Sequence, residues 1–261
     1  MPRFYQIARL RAGTTIFPDA EVLRVDLDRV EPGDLIENDV AFRAAAAPES
    51  WFWLSGGGTF LLNGRYLPVV RRGADARVNP GKFSLFTGRA DNGEERANPA
   101  LLVRELFEEL LLYEGGTLLV PQLPDLQPVI GAAHAAMRKA GIIAEGATRA
   151  LSLAPVDLAS TPVRIRHDGV EREHRLTWTK GANNDVNVLF LFAAECDLAL
   201  LKARDGEFHS EQCGAIPAGR AIYLYDRITG RAQPLSQPGE LQALTEAEMT
   251  APLRFLLGLC R

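Results

Sequence analysis

Cysteine is scarce in this chain, with three residues, Cys196, Cys213 and Cys260, in 261. They stand in no metal-ligand spacing, which argues against a disulfide scaffold and fits a reducing compartment. Histidine is almost as rare, and His134, His167, His174 and His209 form no His-Glu-x-x-His or comparable pair, so zinc chemistry is not expected. Long apolar runs are missing too. The longest, VLFLFAA at 188–194, falls far short of the ~20 residues that span a bilayer. The opening MPRFYQIARLRAGTT carries no apolar signal core, so the expectation is a cytoplasmic protein with no membrane partner. Nor does charge of one sign dominate: 29 Lys and Arg meet 33 Asp and Glu, a net charge of -4. That balance gives no reason to expect nucleic acid as a partner. A phosphate-bearing ligand would need local positive charge, from basic side chains or from a metal ion.

What is present is ordinary globular material, 47% apolar and 24% charged, without repeats or low-complexity tracts. The length suits one large domain or one domain with an appendage. In residues 1–50, AEVLRVDLD alternates like a half-buried strand and EPGD reads as a turn; this part is expected to be an N-terminal extension. From Trp51 the pattern is strand-rich, with WFWL, TFLLNGRYLPVVRR and KFSLF, and Asn63-Gly64 signals a hairpin. SGGG at 55–58 precedes a strand and reads as a turn rather than a phosphate cradle. Asn98 can cap a helix that Pro99 starts, expected to run to about Tyr113 with Gly115 and Gly116 beyond its end. Residues 117–160 read as a mostly helical insert. Strands return in VRIRHDG, EREHRLTWTK, VNVLFLFAAE and AIYLYDRITG, and an amphipathic segment from about Thr245 to Leu257 closes the chain. The expected class is mixed α/β, with residues 51–261 as the main domain.

The helix after Pro99 contains an oddity. At ~100° per residue, Glu105, Glu108 and Glu109 fall on one face. Leu102, Val103, Leu106, Phe107, Leu110, Leu111 and Tyr113 form an apolar arc over roughly half the circumference, so the helix is expected to be buried except along the carboxylates and Arg104. Like charges at i and i+4 repel, more strongly when desolvated, and one guanidinium cannot neutralise three carboxylates. Oxygen donors in a cluster select a hard cation, magnesium first and manganese as the alternative. The competing reading is a surface ion-pair helix with Arg104 as its partner.

These residues resemble the Nudix box: Gly, five residues, Glu, seven residues, Arg-Glu, an aliphatic, any residue, Glu-Glu, any residue, Gly, an aliphatic. Gly88 and Glu94 match the first spacing, and Arg104, Glu105, Leu106, Phe107, Glu108 and Glu109 match the helical core. Two features depart from the pattern. Nine residues rather than seven stand between Glu94 and Arg104, and Leu111 replaces the closing glycine. The resemblance implies a Nudix-type α/β/α sandwich with a mixed sheet. It implies a magnesium-dependent hydrolase of a nucleoside diphosphate linked to another moiety, such as a nucleotide sugar or a dinucleotide. Glu105, Glu108 and Glu109 would then bind metal, Arg104 would orient them, Gly88 would offer a backbone carbonyl, and Glu94 would brace the loop. Dimers are common in the family, and a homodimer is left open.

Further residues are weighed against plainer readings. Trp178 could stack a nucleobase and Lys180 could touch phosphate, although a strand residue and a solvated loop charge explain both. Arg71 and Arg72 end a strand where they could face substrate. Glu195, Glu207 and Glu211 are candidates for a distal glutamate, none of them selected as base. A non-catalytic nucleotide sensor on the same fold is the main alternative to the hydrolase, and isomerase chemistry is a third.

Overall fold

A computed structural model of the chain describes residues 8–9, 23–26, 51–74, 76, 79–90, 94–95, 98–180, 185–206, 208–211, 214–217, 220–235 and 240–259. Most of the expected N-terminal extension therefore lies outside the described residues; Ala8–Arg9 and Leu23–Asp26 are strands. The fold is mixed α/β, with mixed sheets and the α-helices α1 (Arg104–Glu109), α2 (Gln127–Lys139) and α3 (Ala251–Leu259) among the described residues. None of these helices is long and apolar enough to cross a membrane. The chain forms two compact units, each built from three stretches. The first takes Met1–Gly57, Gly88–Val103 and Leu158–Leu189, and the second Gly58–Thr87, Arg104–Asp157 and Phe190–Arg261.

In the first unit, strands Thr161–His167 and Val170–Leu176 form a hairpin that turns at Asp168-Gly169, both at positive φ. Leu23–Asp26 joins this hairpin in parallel, opposite Val163 to Arg166. Trp178–Lys180 pairs with Val186 to Val188. SGGG is not a turn: residues 51–62 are one strand. Gly56 is required there by packing, because a Cβ would come within 2.6 Å of the Leu102 Cβ. Next to it, the buried Ser55 hydroxyl donates to Asn187 Oδ1 at 2.8 Å.

In the second unit, the expected Asn63-Gly64 hairpin is present, with φ of 49° and 65°, the handedness that suits a two-residue turn. It leads into Tyr66–Arg71, after which Ala221–Asp226, Arg231–Pro234 and Gln242–Ala243 follow in antiparallel order. Phe60, Leu62, Leu67, Val69 and Phe83 are almost wholly buried in this region. The closing segment begins with a Thr245 capping box, then a 3-10 turn Glu246–Glu248, and continues as α3.

Two expectations about the middle of the chain are corrected. The helix does not reach Tyr113. It ends at Glu109, and Leu110–Glu114 is a strand flanked by Leu201–Asp205 and Thr117–Gln122. A run of buried leucines fits a strand covered on both faces as well as a helix, so periodicity alone could not separate them. Gly115 and Gly116, at φ of 57° and 87°, turn a hairpin rather than cap a helix. The stretch 117–160 is likewise not mostly helical. Strands Thr117–Gln122 and Thr148–Ser152 lie parallel, and α2 is the crossover that parallel pairing requires. α2 buries Ile130, Ala133, His134 and Met137, the i, i+3, i+4, i+7 stripe of an amphipathic helix. Met137 packs with Leu111, Leu118, Ile142 and Ile143, which fixes the sheet that carries the end of α1.

Candidate functional site

α1 is too short to stand on its own hydrogen bonds and depends on its apolar side. Leu106 and Phe107 are completely buried. The Phe107 ring sits between Phe60 and Phe192, with centroids 6.4 and 6.1 Å away. Anchoring that side fixes where the other residues of the turn project. Arg104 Nη2 donates to Glu105 Oε1 at 2.8 Å, and Nη1 pairs with Glu108 Oε2 one turn on. Glu105 and Glu109 are only 9% and 5% exposed, while Glu108 is part-buried. Burying carboxylates is costly without compensating charge and donors. The sequence offered one arginine for this, and the fold supplies another.

That second arginine comes from far along the chain. Leu201–Asp205 alternates buried and exposed residues and pairs antiparallel with Leu110–Glu114, setting Asp205 opposite Leu110. Gly206 follows, and its N–H donates to the Glu109 carbonyl at 2.9 Å, closing the C-terminus of α1. Only glycine fits: a Cβ would lie 2.0 Å from the Glu108 carbonyl oxygen. Asp205 accepts from the Arg220 backbone N at 2.8 Å, from Nε at 3.0 Å and from Nη2 at 2.9 Å. The same Nη2 lies 3.4 Å from Glu109 Oε1. Asp205, Gly206 and Arg220 escaped the sequence reading. The Asp-Gly pair after an alternating strand was a visible turn signal, but nothing local linked Arg220 to Glu109.

Glu105, Glu108, Glu109 and Asp205 thus face two guanidiniums, an excess of two negative charges among these six groups. The donors are all oxygen, which suits a hard divalent cation that keeps most of its waters and needs one or two carboxylates. They are not a ready-made cage: among the described residues, no three His, Cys, Asp or Glu side chains converge as metal ligands. The fit is therefore one of charge and donor chemistry, with arginines engaging the carboxylates.

Gly88 lies on strand Phe86–Arg89, and Glu94 is exposed at a helical turn, its carbonyl accepting from the Asn98 N–H at 2.8 Å. Its neighbour Glu95 is buried. Trp178 is buried as a strand residue, and its Nε1 donates to Thr161 Oγ1, which accounts for the indole without a ligand. The Lys180 backbone stands opposite Val186, and its side chain is outside the described ones. Gly88, Glu94, Trp178 and Lys180 belong to the first unit, whereas Arg71, Arg72 and the α1 residues belong to the second. Arg71 Nε donates to the Gly81 carbonyl at 3.3 Å and its guanidinium lies over Phe83. The Arg72 N–H donates to the Lys82 carbonyl at 2.9 Å. Glu195 is exposed, Glu207 lies outside the described residues, and Glu211 is described only as backbone of strand Phe208–Glu211. Two cavities of the second unit, about 380 and 440 Å³, are lined by other residues, among them Tyr225 and Met249 in one and Leu151 and Ala193 in the other.

Neither a family model nor a curated protein matches the chain.

Proposed function

We propose that the chain is a Nudix-type hydrolase that uses magnesium or manganese to cleave a nucleoside diphosphate linked to another moiety. The observation that carries this reading is the partly desolvated triad on α1. Two almost fully buried glutamates and one half-buried glutamate share the face of a six-residue helix, in the Arg-Glu-x-x-Glu-Glu order of the Nudix box. Burial of that kind is unfavourable for structure alone and is expected where charge is kept for a ligand. The mixed α/β class supports the finer α/β/α sandwich as part of the same proposal. A bound divalent cation would neutralise the diphosphate and make water a nucleophile near neutral pH. The chain's own share is to hold Glu105 and Glu108 through Arg104, and Glu109 beside Arg220, in fixed positions facing that charge. A cytoplasmic location and a small nucleotide substrate, with no nucleic acid or membrane, complete the proposal.

The non-catalytic sensor is favoured by one observation: arginines already engage all three glutamates. The two readings separate in one assay. The protein is incubated with magnesium and a panel of nucleoside triphosphates, nucleotide sugars and dinucleotides, and products are followed by mass spectrometry. Glu108→Gln and Glu109→Gln are expected to keep the fold and to lose turnover by about 10²-fold or more. Near-normal turnover in both would end the assignment of the glutamates. Thermal stabilisation by a nucleotide with no product from the wild type would select the sensor.

A further inference from the structure

Arg220 is more restrained than a counter-charge needs to be. Asp205, 4% exposed, accepts from three of its donors, so the guanidinium plane is fixed at both Nε and Nη2. Held this way, Nη2 stops 3.4 Å from Glu109 Oε1. A full charge-assisted N–H···O bond is shorter, about 2.7–2.9 Å. The Asp205 fork makes bonds of full strength while the Glu109 contact is stretched, in one buried cluster and on the same nitrogen.

We propose that Asp205 and Arg220 form a restrained internal counter-ion that sets how tightly the acidic helix takes up a divalent cation. Arg220 competes with the cation for Glu109, because a guanidinium and a metal ion approach the same carboxylate lone pairs. Asp205 limits that competition by holding the guanidinium back. Arg220 is thus a positioning residue, and Asp205 determines how far it yields. The inference rests on reading α1 as a cation-binding face.

The test is a titration of the full-length protein with Mn²⁺ alone, free Mn²⁺ being followed by electron paramagnetic resonance, in wild type, Arg220→Gln, Asp205→Asn and the double variant. Arg220→Gln is expected to bind Mn²⁺ about fivefold more tightly, a gain that misfolding cannot imitate. Asp205→Asn frees the guanidinium to close on Glu109 and is expected to weaken binding by a similar factor. In the double variant the effect of Asp205→Asn should disappear. Arg220→Gln that leaves binding unchanged or weakens it as Glu109→Gln does would overturn the inference, as would an Asp205→Asn effect that persists without Arg220. A wild-type protein that takes up no Mn²⁺ would remove the cation-binding reading and this inference with it, whereas normal wild-type uptake with an unresponsive Arg220→Gln removes this inference alone.

Discussion

Arg65 grips Asp226 with Nε at 2.9 Å and Nη2 at 2.6 Å, and the Ile228 N–H and Thr229 hydroxyl add bonds of 3.0 and 2.8 Å. The Arg65 bond does most to hold the Asp226 carboxyl well below the usual carboxylate range, against burial, which pushes it up. A folded value depressed in this way contributes stability that is present above the unfolded pKa, ~3.9 for Asp, and is lost as pH falls towards the folded value. The stability gap between wild type and Asp226→Asn should therefore be widest near neutral pH and close as pH falls below about 4 in denaturant titrations. A gap that does not change with pH would mean that the ionised pair is not what the bonds stabilise. Cys196 shows the opposite shift: burial, and then Glu114 and Glu195, push its thiol up to about 11, so it is no nucleophile at neutral pH. At this scale the acidic triad and Arg104 were legible because they lie within one six-residue helix. Asp205 and Arg220 were not, because their partnership with Glu109 is created by strand pairing across a long separation in sequence.

Elements were legible where two signals agreed. Asn63-Gly64 stood between two apolar strands, and turn chemistry and alternation pointed to the same hairpin. They were misread where one signal served two structures. Leu110 to Tyr113 continue the helical apolar pattern, yet strand partners on both sides decide the outcome. The junction of α1 with this strand is tight, since Gly206 lies against the Glu108 carbonyl while bonding to that of Glu109. Gly206→Ala forces that junction apart. The expected cost is about 1–3 kcal/mol of stability, read as a lowered melting temperature. Weakened Mn²⁺ uptake should accompany it, because Glu108 and Glu109 move with the helix end. Unchanged melting and uptake would show that the junction shifts without strain.

For the whole molecule, composition and alternation were enough to place the chain in the mixed α/β class, but not to show which distant stretches meet. Leu23–Asp26 pairs in parallel with Val163 to Arg166, and no local pattern announces a partner so far away. Each compact unit draws on three separate stretches, so any continuous fragment that contains one entire unit also carries part of the other. A chain cut after Leu200 keeps α1 but lacks the strand Leu201–Asp205, Gly206 and Arg220. It is expected to melt without cooperativity and to leave Mn²⁺ free. Cooperative melting with Mn²⁺ bound would place the support of α1 among the earlier residues. The bond from Gly206 to Glu109 also carries a consequence for synthesis. A ribosome delivers the glutamate helix about a hundred residues before the glycine that closes it, and Arg220 emerges later still. During that interval Glu105, Glu108 and Glu109 lie on a segment too short to hold a helix by itself, so the acidic face takes its final form only after Gly206 and Arg220 have emerged.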